Sequence, residues 1–322
     1  MKKYDVTALG ELLIDFTFAG KASTGMQLFE QNPGGAPANV LAEISKLGGK
    51  TAFIGKVGQD MHGAFLKKTL RENKIDVRGL IETKDAFTTL AFVELTQDGE
   101  RSFSFARKPG ADTTLTETEV NFDLIKDSRI FHVGSLSLTD EPSRQATMSA
   151  LKYAAQHDVI VSYDPNYRAP LWNSTEDANR EMRSVLPYVD VIKISEEEIS
   201  MLTSKKTAEE AAKELQNSGI SCVIVTLGEK GALVTTKIGQ VYSKAFPVKT
   251  IDTTGAGDAF MGAFLYRLAK SEKNPDELTG KDAEEFANFA NAAASLCVEK
   301  RGGINAMPAL PDVQERLENF FL

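Results

Sequence analysis

Beyond Lys50 the chain alternates short apolar runs with amphipathic stretches, and this pattern constrains the fold more than any other feature. Apolar runs buried on both faces and joined through helical segments are what a parallel sheet with crossover helices requires. Residues 51–55, 129–133, 159–163, 189–194 and 222–227 read as strands, and helical periodicity covers 61–70, 144–156, 179–186 and 208–217. The later strands stop at polar or glycine residues: Gly134-Ser135, Asp164-Pro165-Asn166, Ser195-Glu196 and Gly228-Glu229. Ligands of open α/β sheets bind beyond the carboxyl ends of the strands, so these stops predict a site assembled along one edge from distant segments.

Two segments fit that sheet badly. Residues 9–18 are strand-like, and 87–95 pair naturally with 101–105 across the turn Gln97-Asp98-Gly99-Glu100. Phe103 and Phe105 then share one face and Ser102 and Ser104 the other. A hairpin with aromatics on one face needs a covering surface, which makes it a lid over a ligand, a contact between subunits, or both. A hairpin packed on its own domain is the alternative. The hinge falls near residues 32–35 and 108–112.

A chain of 322 residues with 42% hydrophobic content buries a large core, enough for one α/β domain with an elaboration. Its net charge of -8 gives no attraction to nucleic acid or to an anionic membrane, so any phosphate must be held by local donors. Cys222 and Cys297 sit in apolar runs without metal-ligand spacing and read as buried thiols of a reducing compartment. Without a signal peptide or an apolar run of spanning length, the expected location is cytoplasmic. Gly49-Lys50-Thr51 imitates the end of a P-loop, but Ile44 stands where its first glycine belongs and the run precedes a strand. His62, His132 and His157 are scattered, and neither a Gly-x-Ser-x-Gly elbow nor a Cys-His pairing occurs, which removes hydrolase and metalloenzyme chemistry.

The chemistry concentrates in Asp252-Thr253-Thr254-Gly255-Ala256-Gly257-Asp258, followed by a small-residue helix. The amides of Gly255, Ala256 and Gly257, with the positive end of the helix dipole, form a phosphate cradle. Asp258 is the odd member, because a carboxylate repels phosphate. Its place there suits a proton acceptor for an attacking hydroxyl, whereas the structural alternative is an acid capping a βα turn. Nearer the amino terminus, Gly34-Gly35-Ala36-Pro37-Ala38-Asn39 lets a hydroxylated ring lie against backbone before a helix opens at Pro37. Asn39 both donates and accepts, as a pair of sugar hydroxyls needs, and Asp15 accepts two hydroxyl protons at once.

These two motifs resemble the paired signatures of the ribokinase-like (PfkB) family of carbohydrate kinases, and the likeness runs from Gly10-Glu11 to Gly302-Gly303. It implies a three-layer α/β fold with a mostly parallel central sheet and a small β lid. One kinase domain would span 1–322, with lid strands at roughly 10–32 and 87–108. Residues 101–112 and 163–168 most resemble bacterial fructokinases, so the expected reaction is ATP-dependent phosphorylation of the primary hydroxyl of fructose. On that resemblance Asp15, Gly34, Gly35, Asn39, Phe103, Phe105, Arg107 and Arg168 form the sugar side. Both arginines offer a planar fork to substrate, with a surface ion pair as the alternative, stronger for Arg107.

The resemblance places the nucleotide along Lys193, Ser195, Thr226, Gly228, Gly231 and Gly257, with Asn291 near the base. Mg2+ is expected, held through water by Glu198 in a segment where Ser195 replaces the family's usual Asn. Backbone at Asp252 and Gly303 would hold a monovalent cation such as K+, as in some relatives. A homodimer through the lid is implied as well. Two rivals remain: a 2-keto-3-deoxygluconate kinase, whose anionic substrate would use Arg107 and Arg168, and a regulator that binds sugar or nucleotide without catalysis.

Overall fold

The structure, a computed structural model, describes residues 2–95 and 101–320. Its strands are β1 (Tyr4–Leu9), β2 (Leu13–Lys21), β3 (Gln27–Gly34), β4 (Thr51–Gly58), β5 (Asp76–Thr83), β6 (Leu90–Leu95), β7 (Arg101–Ala106), β8 (Ser128–Val133), β9 (Ile160–Tyr163), β10 (Val191–Ser195), β11 (Cys222–Thr226), β12 (Ala232–Thr236) and β13 (Gln240–Ser243). The helices are α1 (Ala36–Lys46), α2 (Met61–Glu72), α3 (Phe122–Lys126), α4 (Ser143–Gln156), α5 (Thr175–Ser184), α6 (Ile199–Leu202), α7 (Ala208–Asn217), α8 (Ala256–Ser271), α9 (Gly280–Cys297) and α10 (Leu310–Phe320).

Nine strands form the large sheet in the order β13-β12-β11-β10-β9-β8-β1-β4-β5, parallel except around β12. Alternation along each strand builds two cores. Cys222 and Ile224 of β11 join α1, α2, α8, α9 and α10 on one face, while Val223 and Val225 join α3 to α7 on the other. Each fully buried Leu, Ile or Phe in these layers contributes roughly 1.5–3 kcal/mol relative to exposure. The second sheet, in the order β3-β2-β6-β7, is the lid. Among the described residues no helix is long and apolar enough to cross a membrane.

Of the expected strand over residues 9–18, residues 13–18 fall in β2 and Leu9 alone closes β1. Tyr4–Leu9 pairs in parallel with β4 and β8 at the centre of the large sheet, and Leu13–Lys21 belongs to the lid. Gly10-Glu11 lies between the two strands, and their pairing partners put them in different sheets. The parallel sheet therefore starts at Tyr4, well before Lys50. The β6–β7 pairing sets Ala91 opposite Phe105 and Val93 opposite Phe103, while the turn at 97–100 and the Phe103 side chain lie outside the described residues.

One helix contact decides the geometry of the site. A Cβ at Gly262 would stand 2.8 Å from Val40 O and 2.7 Å from Glu43 Cβ, so only glycine lets α8 approach α1 this closely. That approach sets the first turns of the two helices side by side.

Candidate active site

Gly255 caps α8 in the left-handed conformation, φ +80°, which costs a glycine nothing and most other residues a kcal/mol or so. The turn it makes puts Asp258 in the first helical turn, where the side chain is buried. Asn39 Nδ2 donates to Asp258 Oδ2 at 2.8 Å and Asn166 Nδ2 to Oδ1 at 3.0 Å. Burial, aided by nearby Asp164, pushes this carboxyl up to about 6, against the Asn39 hydrogen bond and the charges of Lys193 and Arg168. At neutral pH it is an anion with enough proton affinity to act as a general base.

Asp258 lies in a cleft of about 570 Å3 between the carboxyl edge of the large sheet and the lid. Asp15, Asn32 and Phe105 line it from the lid, Gly35 and Asn39 from the start of α1, and Arg168 from the loop after β9. The Asp15 carboxylate rests against Gly34, where a Cβ would stand 2.2 Å from Oδ2. Burial raises Asp15 to about 6, with Arg168 opposing the rise. Gly255 and Gly257 also face the cleft, but the Ala256 N–H turns to Thr253 O at 3.3 Å, so that amide is engaged by its own turn.

Arg107 does not join them. Its guanidinium is buried, donating from Nε to Asp112 Oδ2, from Nη1 to Thr139 Oγ1 and from Nη2 to Leu136 O, each at 2.8 Å. The fork expected to meet substrate instead fastens the end of β7 to the loop after β8.

Of the expected nucleotide residues, Lys193 reaches the cleft and donates to Asp164 Oδ2 at 2.6 Å. Ser195, Thr226, Gly228 and Gly231 sit beyond it at the carboxyl ends of β10 and β11, with Thr226 Oγ1 donating to Ile194 O at 3.3 Å. Asn291 turns its amide nitrogen to Ser243 Oγ at 2.7 Å and to the Ser243 and Lys244 carbonyls, bracing α9 against β13. Glu198 is buried and accepts from Tyr167 N and Ser195 N, both at 2.8 Å. Asp252 accepts from Thr254 N at 2.9 Å and Gly302 N at 3.1 Å, closing the loop before α8 onto the one beside Gly303.

Three residues without an assigned role in the sequence belong to the site. Asn166 holds Asp258 from a positive φ of 48°, which Asn tolerates better than most side chains. Asp164 pairs with Lys193. Glu11 lines the cleft, and its Oε1 accepts from Ala36 N at 2.7 Å, serving the start of α1 that Gly35 leaves without a side-chain cap. Burial raises Glu11 to about 7. The available signal was position, since all three follow the carboxyl ends of central strands.

Known proteins are similar to this chain in sequence and in fold. A model of the pfkB family carbohydrate kinases matches residues 3–310. The chain is 43% identical over 320 residues to probable fructokinase-5 of Arabidopsis thaliana, covering 98% of this chain and 97% of that one. With fructokinase-2 of Solanum lycopersicum it shares 43% over 316 residues, covering 97% and 94%. The fructokinase of Xylella fastidiosa with bound ATP superposes with a TM-score of 0.91 at 31% identity, over 99% of this chain and 100% of that one. The fructokinase of Vibrio cholerae O395 with fructose, ADP and calcium bound gives 0.88 at 34% identity, over 97% and 98%. The chain belongs to the PfkB family of carbohydrate kinases. It is an ATP-dependent sugar kinase with a ribokinase-like fold.

Proposed function

We propose that the protein is a fructokinase that transfers the γ-phosphoryl group of ATP to the primary hydroxyl of fructose, giving fructose 6-phosphate. The observation that carries this reading is Asp258, held by two amides at the head of a glycine-capped helix, in one cleft with Asp15. The hydroxyl proton passes to the Asp258 carboxylate as the hydroxyl oxygen bonds to γ-phosphorus. The bond from that phosphorus to the β,γ-bridging oxygen breaks, and ADP leaves. Gly255 and Gly257 present backbone to the phosphoryl group, and Asp15, Gly34, Gly35, Asn39, Phe105 and Arg168 orient the sugar. Positioning supplies much of the rate in phosphoryl transfer.

Mg2+ neutralises the phosphates when bound. It prefers water and phosphate ligands to a protein cage, and among the described residues no cluster of three His, Cys, Asp or Glu makes one. Buried Glu198 keeps an unused lone pair on each oxygen for a water of that ion. The loops closed by Asp252 and carrying Gly303 would supply carbonyls to K+.

Engagement of Arg107 by Asp112 weakens the sugar-acid alternative, because it turns one of the two expected arginines away from the cleft, where Asp15 and Asp258 repel a carboxylate. The test is ADP release over a panel of sugars, repeated with Na+ in place of K+. We expect kcat/KM for fructose to exceed that for ribose, adenosine and 2-keto-3-deoxygluconate, and an advantage for K+. Preference for the keto acid would transfer the assignment to that substrate. No ADP release with any sugar would favour the regulator.

The lid also supports a homodimer. Phe105 faces the cleft, whereas on the opposite face Phe92, 37% exposed, stacks on Phe16 and meets Phe29 edge to face. Pairing two such faces would cover what remains exposed of each Phe92, contributing roughly 0.5–1 kcal/mol per ring. Sedimentation equilibrium should show a dimer whose Kd rises at least tenfold, roughly 1.4 kcal/mol, in Phe92→Ser. A monomeric wild-type protein would refute the pairing.

A further inference from the structure

The cleft is lined by three cationic side chains, of which Arg168 and Arg301 are exposed and Lys193 is buried. Lys193 enters from the carboxyl end of β10 and ends against the phosphate cradle: a Cβ built on Gly257 would stand 3.0 Å from its Nζ. Among the described residues one of its three N–H donors is engaged, by Asp164 Oδ2 at 2.6 Å. Burying an ammonium carries a desolvation penalty of several kcal/mol, which a single carboxylate offsets only with good geometry. Burial works to lower the Lys193 pKa, but Asp164, Glu198 and Asp258 outweigh it and hold the pKa above its ordinary value. The charge is thus fixed beside the amides that face the transferred phosphate and beside the carboxylate that takes the sugar proton.

Resting on the fructokinase reading, we propose that Lys193 is a catalytic residue whose ammonium contacts the phosphoryl group in flight between ATP and the sugar. In-line transfer spreads negative charge over the equatorial oxygens of that group, and a preorganised cation at a dry site stabilises it without reorganisation. Asp164 has a separate part, holding the ammonium at Gly257 and keeping it charged. The competing explanation is that Lys193 exists only to neutralise Asp164. It predicts that removing both charges together restores an ordinary enzyme.

The test is therefore the pair Lys193→Met with Asp164→Asn, which removes both members of the ion pair and so leaves neither of the two charges without its partner. We expect kcat with fructose and ATP to fall about 10²–10³-fold, as for loss of one transition-state donor. ATP affinity by titration and KM for fructose should stay within a few-fold of wild type. A kcat within threefold of wild type would overturn the proposal. If that pair does not fold, Lys193→Met with Asp164→Leu exchanges the ion pair for apolar side chains, which cores often accept, and the same criterion on kcat decides. Failure of the wild-type protein to release ADP with any sugar would remove the kinase reading itself, before any variant is compared.

Discussion

Asp258→Asn should lower kcat at saturating fructose and ATP by about 10²–10⁴-fold while leaving the fold and ATP binding nearly intact. The amide is close to isosteric with the carboxylate, and the structure has room for its polarity. Asn39 Oδ1 has no partner, so Asn39 can turn to accept from the new amide after giving up its own donation. Stability should hold or rise. Folding lifts this acid from 3.8 to about 6, so its contribution is most favourable below about pH 3.8 and declines as pH rises through 6. At pH 7.5 the ionised, buried Asp258 therefore opposes folding, and removing its charge relieves that cost. A role as helix-start acid alone predicts the opposite pair of results, a lower Tm and near-normal turnover.

The same shift predicts a pH profile for the wild-type enzyme. Asp15 and Asp258 both stand at about 6, and the proposed mechanism needs both as anions, one to accept sugar hydroxyls and the other the proton. kcat/KM for fructose should fall as pH drops through about 6, by roughly a hundredfold between pH 7.5 and 5. A flat profile over that range would leave neither carboxylate in its role.

Arg107→Met should cost about 3–5 kcal/mol of stability, because it strands Asp112 as an unpaired buried charge. Thermal melting should show this as a drop of roughly 4–7 °C. KM for fructose, measured below the new Tm, should change less than threefold, since the guanidinium is turned to Asp112, Thr139 and Leu136. Adding Asp112→Asn should recover much of the loss. A tenfold rise in KM with unchanged melting would return Arg107 to the substrate.

Much of this was legible in the chain. The apolar runs that became β4, β8, β9, β10 and β11 announce a parallel sheet because a strand buried on both faces has little choice of composition. Gly255-Ala256-Gly257-Asp258 announces a glycine-capped helix start with an acid in its first turn, because local backbone geometry suffices to define it. Facts of these kinds are local, and a sequence states them directly.

Contacts between distant segments were not legible. The strand-like residues 9–18 do not show which sheet they join until pairing gives Leu9 to the large sheet and Leu13 onward to the lid. Arg107 and Arg168 present the same fork, yet Asp112 lies buried beside the first and the open cleft beside the second. Asn166 is one polar residue among many until the close approach of α8 to α1, which Gly262 permits, sets Asp258 between it and Asn39. The sequence by itself determined the sheet, the cradle and the acid, because each follows from the conformations open to a few neighbouring residues. Only the tertiary structure decided which polar side chains turn into the cleft and which into the core, because that depends on partners supplied by segments far apart in the chain.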